Sequence, residues 1–224
     1  MTKKEKDQII TLIQNEVVPA IGCTEPIAVA LATAKAKEVL GDMPEKILVL
    51  LSSNMLKNAM GVGIPGTDMI GLPIAVALGA LIGKSDYQLE VLKDTCPEAV
   101  KTAKAYILEK RIRILHKKNA PNKLYIEVDC HKGDDSAKVI ISGSHTHFSF
   151  ISKNDHILLE EEPGQTASMK QETVPLNFRR VYDFSMKTPV NDLRFILKTV
   201  ELNKRAAEIA LKGHAATQIP HPLQ

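Results

Sequence analysis

The sequence predicts an α+β fold: an Ala-rich helical domain with an inserted antiparallel β meander of about five strands. Three observations carry this. Up to residue 109 the apolar residues recur at helical spacing, and alanine is frequent. Between residues 110 and 163 the period shortens to two, and turn residues punctuate the chain at short intervals. From residue 164 onward a polar linker gives way to helical spacing again, so the C-terminal helices are expected to return to the helical domain.

Taken in order, Ile9, Ile10, Leu12, Ile13 and Val17 share one side of a first helix that Pro19 ends. Thr24 is expected to cap a second helix, with Glu25 and Pro26 in its first turn and Gly41 after its end. Lys46–Leu51 is a short apolar run that suits a buried strand. Segments 73–82 and 97–109 read as two further helices, each opened by a proline. The meander is expected at 111–116, 123–129, 137–142, 147–152 and 156–161, separated by turns such as Gly133-Asp134-Asp135 and Lys153-Asn154-Asp155. Pro163–Pro175 reads as a linker, 177–186 and 190–211 as helices, and 213–224 as a frayed tail.

Composition narrows the function classes. Hydrophobic residues make up 44% of the 224, enough for a buried aliphatic core. A net charge of +3 from 29 basic and 26 acidic residues, with 4% aromatics and no Trp, argues against a basic nucleic-acid face or a base-stacking platform. Three cysteines at irregular spacing do not read as a disulfide framework. The charged start, Met1–Asp7, is not an export signal, and the most apolar stretch, Met69–Gly83, is short and interrupted by glycine and proline. A cytoplasmic protein with no membrane partner is the expectation.

Three constellations could carry chemistry. Cys23 stands in a turn ahead of a helix, whose free N–H groups and partial positive charge favour the thiolate that metals and electrophiles require; a buried cysteine beside an ordinary cap is the alternative. In 52–67, a strand runs into Ser52-Ser53-Asn54 and then a Gly-rich loop, with Lys57 as a nearby cation. Half of the chain's glycines fall between Gly61 and Gly83. Such a loop suits a carboxylate, and close helix packing is the competing use of its glycines. Gly61, Gly63 and Gly66 match a dinucleotide spacing, but Pro65 sits inside it and no suitably placed acid follows. His145 and His147, at a strand start, would face one side at the spacing of some metal pairs, with no third ligand close in sequence. Cys96 and Cys130 read as structural, and Glu160-Glu161-Glu162 as a solvated strand end.

Together these stretches resemble a known family. Val18–Ala30, through Gly22-Cys23-Thr24-Glu25-Pro26, resembles the N-terminal signature of the L-cysteine desulfidases, relatives of the iron–sulfur L-serine dehydratase alpha chain. Asn54–Thr67 resembles that family's second signature, and Gly71-Leu72-Pro73-Ile74-Ala75 extends it. His145-Thr146 falls where the family has His-Thr-Asn, with His147 replacing the Asn.

The resemblance implies a lyase with a [4Fe–4S] cluster that eliminates the β-substituent of L-cysteine or L-serine to leave pyruvate, ammonia and sulfide or water. By this likeness Cys23 is one cluster ligand. Asn54, Lys57, Asn58, Gly66 and Thr67 line the substrate pocket, and His145 and Thr146 are further pocket candidates. Members of the family run to roughly twice this length and carry their other cluster cysteines in the C-terminal half. A cubane needs about three or four protein ligands, so this chain alone is expected to lack an intact cluster and to be inactive until another chain supplies the missing half; a C-terminal half-chain or a homo-oligomer is the expected partner. A non-catalytic amino-acid-binding protein and a structural or regulatory subunit are the alternative readings.

Overall fold

The structure is a computed structural model in which residues 1–161 and 175–217 are described. The expected linker falls on residues 162–174 and the end of the expected tail on 218–224, outside the described residues. The chain divides into two compact units, Met1–Pro19 with Met169–Gln224, and Ala20–Ser168.

The larger unit is α+β, with one six-stranded sheet. Helix α2 (Thr24–Leu40) precedes strand β1 (Lys46–Leu51), the short helix α3 (Ser53–Ala59) and a small hairpin, β2 (Gly63–Ile64) with β3 (Met69–Ile70). Helix α4 (Leu72–Ile82), a 3₁₀ segment (Ser85–Glu90) and helix α5 (Pro97–Leu108) follow. The remaining strands are β4 (Ile112–His116), β5 (Tyr125–Lys132), β6 (Asp135–Ser142), β7 (Phe148–Lys153) and β8 (His156–Glu160).

The five strands expected after residue 110 are all present, and β5 to β8 form the antiparallel meander. The sheet is nevertheless mixed. Its order is β4-β1-β5-β6-β7-β8: β1 from the helical part enters between β4 and β5, parallel to β4 and antiparallel to β5. Alternation along the strands explains the burial. Val49, Leu51, Ile126, Val128, Cys130, Val139 and Ile141 are buried in the same core as α2 and α4, while Glu127, Asp129 and Lys138 alternate with them and take the other face.

Helix α2 is buried from Pro26 to Ala34, and lies against α4 and across β5 and β6. Small residues make this possible: a Cβ on Gly79 of α4 would come within 2.5 Å of the Ala30 carbonyl oxygen and 3.0 Å of its Cα. Here the packing use of the glycines holds. Gly83, with Ala34 Cβ 2.7 Å from the position of an added Cβ, does the same at the helix end.

Two local expectations are corrected. The N-cap of α2 is Cys23, not Thr24, and it makes no side-chain capping bond. The stretch after β1 does not run straight into a loop but turns into α3, because Ser52 caps it by accepting from the Met55 N–H at 3.3 Å.

The smaller unit is helical. Helix α1 (Lys3–Glu16) starts on a capping box of Thr2 and Glu5. Asn177 caps α6 (Phe178–Lys187), and a 3₁₀ segment (Val190–Ile196) leads into α7 (Leu197–Thr217), so the long helix expected from residue 190 comes in two pieces. Lys6 pairs with Asp192 at 2.6 Å and Arg180 with Glu5 at 3.3 Å. No helix among the described residues is long and apolar enough to cross a membrane.

Candidate active site

The turn before α2 is shaped by Gly22, whose φ of +84° lies in the left-handed region. A Cβ there would sit 2.9 Å from Pro65 Cγ, so the turn rests directly on the tip of the Gly-rich loop. The two stretches that carry the family resemblance are therefore in contact.

The centre of the site is a residue absent from the expected set, Glu25. In the first turn of α2 its Oε2 accepts from the Cys23 thiol at 2.9 Å and from the Thr24 hydroxyl at 3.3 Å, and its Oε1 accepts from the Asn58 amide at 3.1 Å. The Cys23 thiol first, then the backbone N–H of Glu25 itself, the Asn58 amide and the nearby His145 imidazole hold the carboxyl below the ordinary value against the opposing effect of burial. The signal was in the sequence: Cys-Thr-Glu at a helix start puts a carboxylate two residues from the thiol, where the helix N-terminus favours its ionised form.

For Cys23 the balance is the reverse of the sequence expectation. The Glu25 carboxylate and then partial burial raise the thiol's pKa, outweighing the backbone N–H groups of Thr24 and Glu25, which lower it. The half-buried Cys23 is thus a protonated hydrogen-bond donor.

The other expected residues divide. Asn54, Lys57 and Asn58 lie exposed on α3. Asn54 and Asn58, one turn apart, share a face, and Lys57 adjoins it. Asn58 reaches Glu25, whereas Asn54 lines a separate cleft at the other end of α3. Gly66, with φ +76°, follows Pro65 in a turn closed by the Thr67 N–H on the Ile64 carbonyl at 3.2 Å, the pattern of a type II turn. Thr67 is buried. Its hydroxyl donates to Ile64 O at 2.6 Å and accepts from Met69 N at 3.1 Å, so it shapes the loop from within.

His145 and Thr146 lie half-buried in the turn between β6 and β7. The expectation that His145 and His147 face one side of a strand is corrected: neither is in a strand, because β7 begins only at Phe148. Their imidazoles go different ways. His145 acts on Glu25, whereas His147 Nδ1 is 2.9 Å from Ser142 O and its Nε2 is 2.8 Å from Glu161 Oε2.

The thiols do not combine into a cluster site. Cys130 is fully buried in β5, and its burial raises the thiol to about 12; Cys96 is exposed at the cap of α5. Among the described residues no group of three or more His, Cys, Asp or Glu side chains is placed to hold a metal. The donor set does not by itself fit a [4Fe–4S] cubane.

The chain is similar to curated proteins named UPF0597. It is 62% identical over 213 residues to one from Bacteroides fragilis, covering 95% of this chain and 50% of that protein. It is 59% identical over 216 residues to one from Bacteroides thetaiotaomicron, covering 96% and 50%, and 42% identical over 213 residues to one from Photobacterium profundum, covering 94% and 50%. The chain thus spans about half the length of the curated relatives it matches. No family model matches it, and no solved structure matches it.

Proposed function

We propose that the chain is an N-terminal portion of a β-eliminating lyase acting on L-cysteine or L-serine, of the L-cysteine desulfidase and iron–sulfur L-serine dehydratase type. One observation carries the reading. Residues from the two resembling stretches and from the His145 turn, far apart in sequence, meet at a single ionised carboxylate, Glu25.

The chemistry of that meeting point suits an α-amino acid. The side-chain donors to Glu25 are a thiol, a hydroxyl and an amide, all uncharged, so the carboxylate keeps its negative charge to attract an α-ammonium group. Asn58 orients it, and the exposed ammonium of Lys57 on the same short helix offers the cation for an α-carboxylate. The His145 imidazole from the β6–β7 turn lies near Glu25 and helps to hold its carboxylate ionised. In the overall elimination the α-proton is taken by a base, the β-substituent leaves with its bonding electrons as sulfide or water, and the aminoacrylate hydrolyses to pyruvate and ammonia. Cys23 would supply one ligand to a [4Fe–4S] cluster, and the remaining ligands would come from a C-terminal half-chain. By itself the chain would bind the amino acid without turning it over.

The test is complementation. The chain reconstituted anaerobically with iron and sulfide is expected to show no stoichiometric iron–sulfur absorbance and to form no pyruvate from L-cysteine or L-serine. Adding the C-terminal half of the Bacteroides fragilis relative is expected to produce both. A full cluster and turnover with the chain alone, or neither with the added half, would overturn the proposal.

A further inference from the structure

The parallel pairing of β1 and β4 marks a second site. The two strands run in the same direction and end together, with Leu51 opposite His116. Where parallel strands end, the chain leaves the sheet in different directions, and the crevice outside their carboxyl ends is a recurrent place for ligands. Here that crevice is an open cleft of about 660 Å³, lined by Ser53 and Asn54 after β1 and by His116, Lys117, Lys118 and Lys123 from the end of β4 onward.

The walls of the cleft are tied together. The Ser52 hydroxyl donates to the Lys123 carbonyl at 2.6 Å, the Lys117 N–H donates to the Leu51 carbonyl at 2.8 Å, and Ser53 Oγ lies 2.7 Å from His116 Nε2. Asn122 donates to the Ser142 hydroxyl at 2.6 Å, which fixes the loop after β4 to the sheet. A loop held this way loses little further freedom when a ligand arrives.

Its charge is one-sided. No lining residue is acidic. Lys117 is engaged with Glu127 at 2.6 Å, but Lys118 and Lys123 make no ion pair with any described residue. Two uncommitted ammonium groups, an imidazole, a hydroxyl and an amide face one space with no competing carboxylate on its walls, which is the donor set a phosphate group takes.

We propose that this cleft binds a phosphate-bearing small molecule, with the phosphate held by Lys118, Lys123, Ser53 and His116. The site lies at the end of α3 opposite Asn58, and it does not rest on the lyase reading.

Calorimetric titration of the full 224-residue chain with pyrophosphate and with orthophosphate tests it, alongside amide chemical shifts and a parallel titration with L-serine. The expected result is saturable binding of at least one phosphate probe, with shifts centred on residues 52–54 and 116–123. Lys118→Ala and Lys123→Ala are each expected to weaken it roughly tenfold, the worth of one charge-assisted hydrogen bond. Both lysines are exposed, so these variants should fold, and circular dichroism checks that they do. The proposal is overturned if neither probe binds saturably, if the double variant binds as well as the parent, or if L-serine displaces phosphate from these residues.

Discussion

Glu25 and Glu127 are both carboxylates held below their ordinary pKa against the effect of burial, yet they are built for opposite purposes. Glu127 sits in β5 with 5% of its surface exposed, and receives Lys117 at 2.6 Å, Lys138 at 3.2 Å and the Tyr125 hydroxyl at 2.8 Å. Two permanent cations cancel its charge. Glu25 receives a thiol, a hydroxyl and an amide, which stabilise the charge without cancelling it. A carboxylate neutralised by lysines staples a sheet, whereas one solvated by neutral donors retains a field for a ligand.

The largest test of this contrast is Glu127→Gln. It leaves Lys117 facing an amide and Lys138 with Asp129 alone, at 3.4 Å. Breaking a fully buried pair costs about 3–5 kcal/mol, but the two lysine side chains are 34% and 38% exposed, so solvent screening reduces the expected loss to about 2 kcal/mol. Urea unfolding measures it. An unchanged midpoint would show that the ion network contributes nothing net.

Acid should separate the same variant from the parent. Glu127 has a folded pKa below its ordinary value of 4.5. Its contribution to stability is fully present above the unfolded pKa and is lost as pH falls through the folded value. The parent is therefore expected to lose stability more steeply than Glu127→Gln through and below the ordinary carboxylate range. Parallel acid limbs for the two proteins would assign acid sensitivity to other groups.

How much of this was legible in sequence depends on the range of the interactions. The strands of the meander show in their alternation, and α2 in its alanine run, because both signals are local. The parallel pairing of β1 with β4 joins strands separated by three helices, and no local pattern encodes it. Helix α3 leaves no periodic signal because its seven residues hold barely two turns, although Ser52 offers a cap. The glycines between Gly61 and Gly83 left two uses open, and the structure divides them: Gly79 and Gly83 serve helix packing, while Gly61 and Gly63 face open space in the loop. Cys23 and Asn58 stand in the two resembling motifs, and both donate to Glu25. Glu25 reads locally as a first-turn helix residue, since its role depends on a partner from α3 and on a histidine from the turn between β6 and β7.

Glu25→Gln is expected to cost little stability, about 1 kcal/mol for the altered hydrogen bonds, and to change chemistry more. The carboxylate is the chief cause of the raised Cys23 pKa, so its neutralisation should move the pH profile of Cys23 alkylation to lower pH. Peptide mapping separates this from exposed Cys96, and buried Cys130 should stay unmodified in the folded chain. The same variant should abolish calorimetric binding of L-serine. An alkylation profile that does not move would mean that Glu25 does not govern the thiol.

The smallest effect is expected from Asn58→Ala. It removes one donor from Glu25 and nothing else, at an exposed helix position where alanine is well tolerated. The lost bond and the gain in helix propensity should nearly cancel, leaving stability within about 0.5 kcal/mol of the parent. The Glu25 carboxyl should titrate higher, because the Asn58 amide is one of the groups that lower it. If Glu25 holds an ammonium group, L-serine binding should weaken by several-fold without being lost, because the charge remains and only its orientation is released. Loss as complete as in Glu25→Gln would instead make Asn58 itself the principal contact, and would shift the centre of the site from the first turn of α2 to the face of α3.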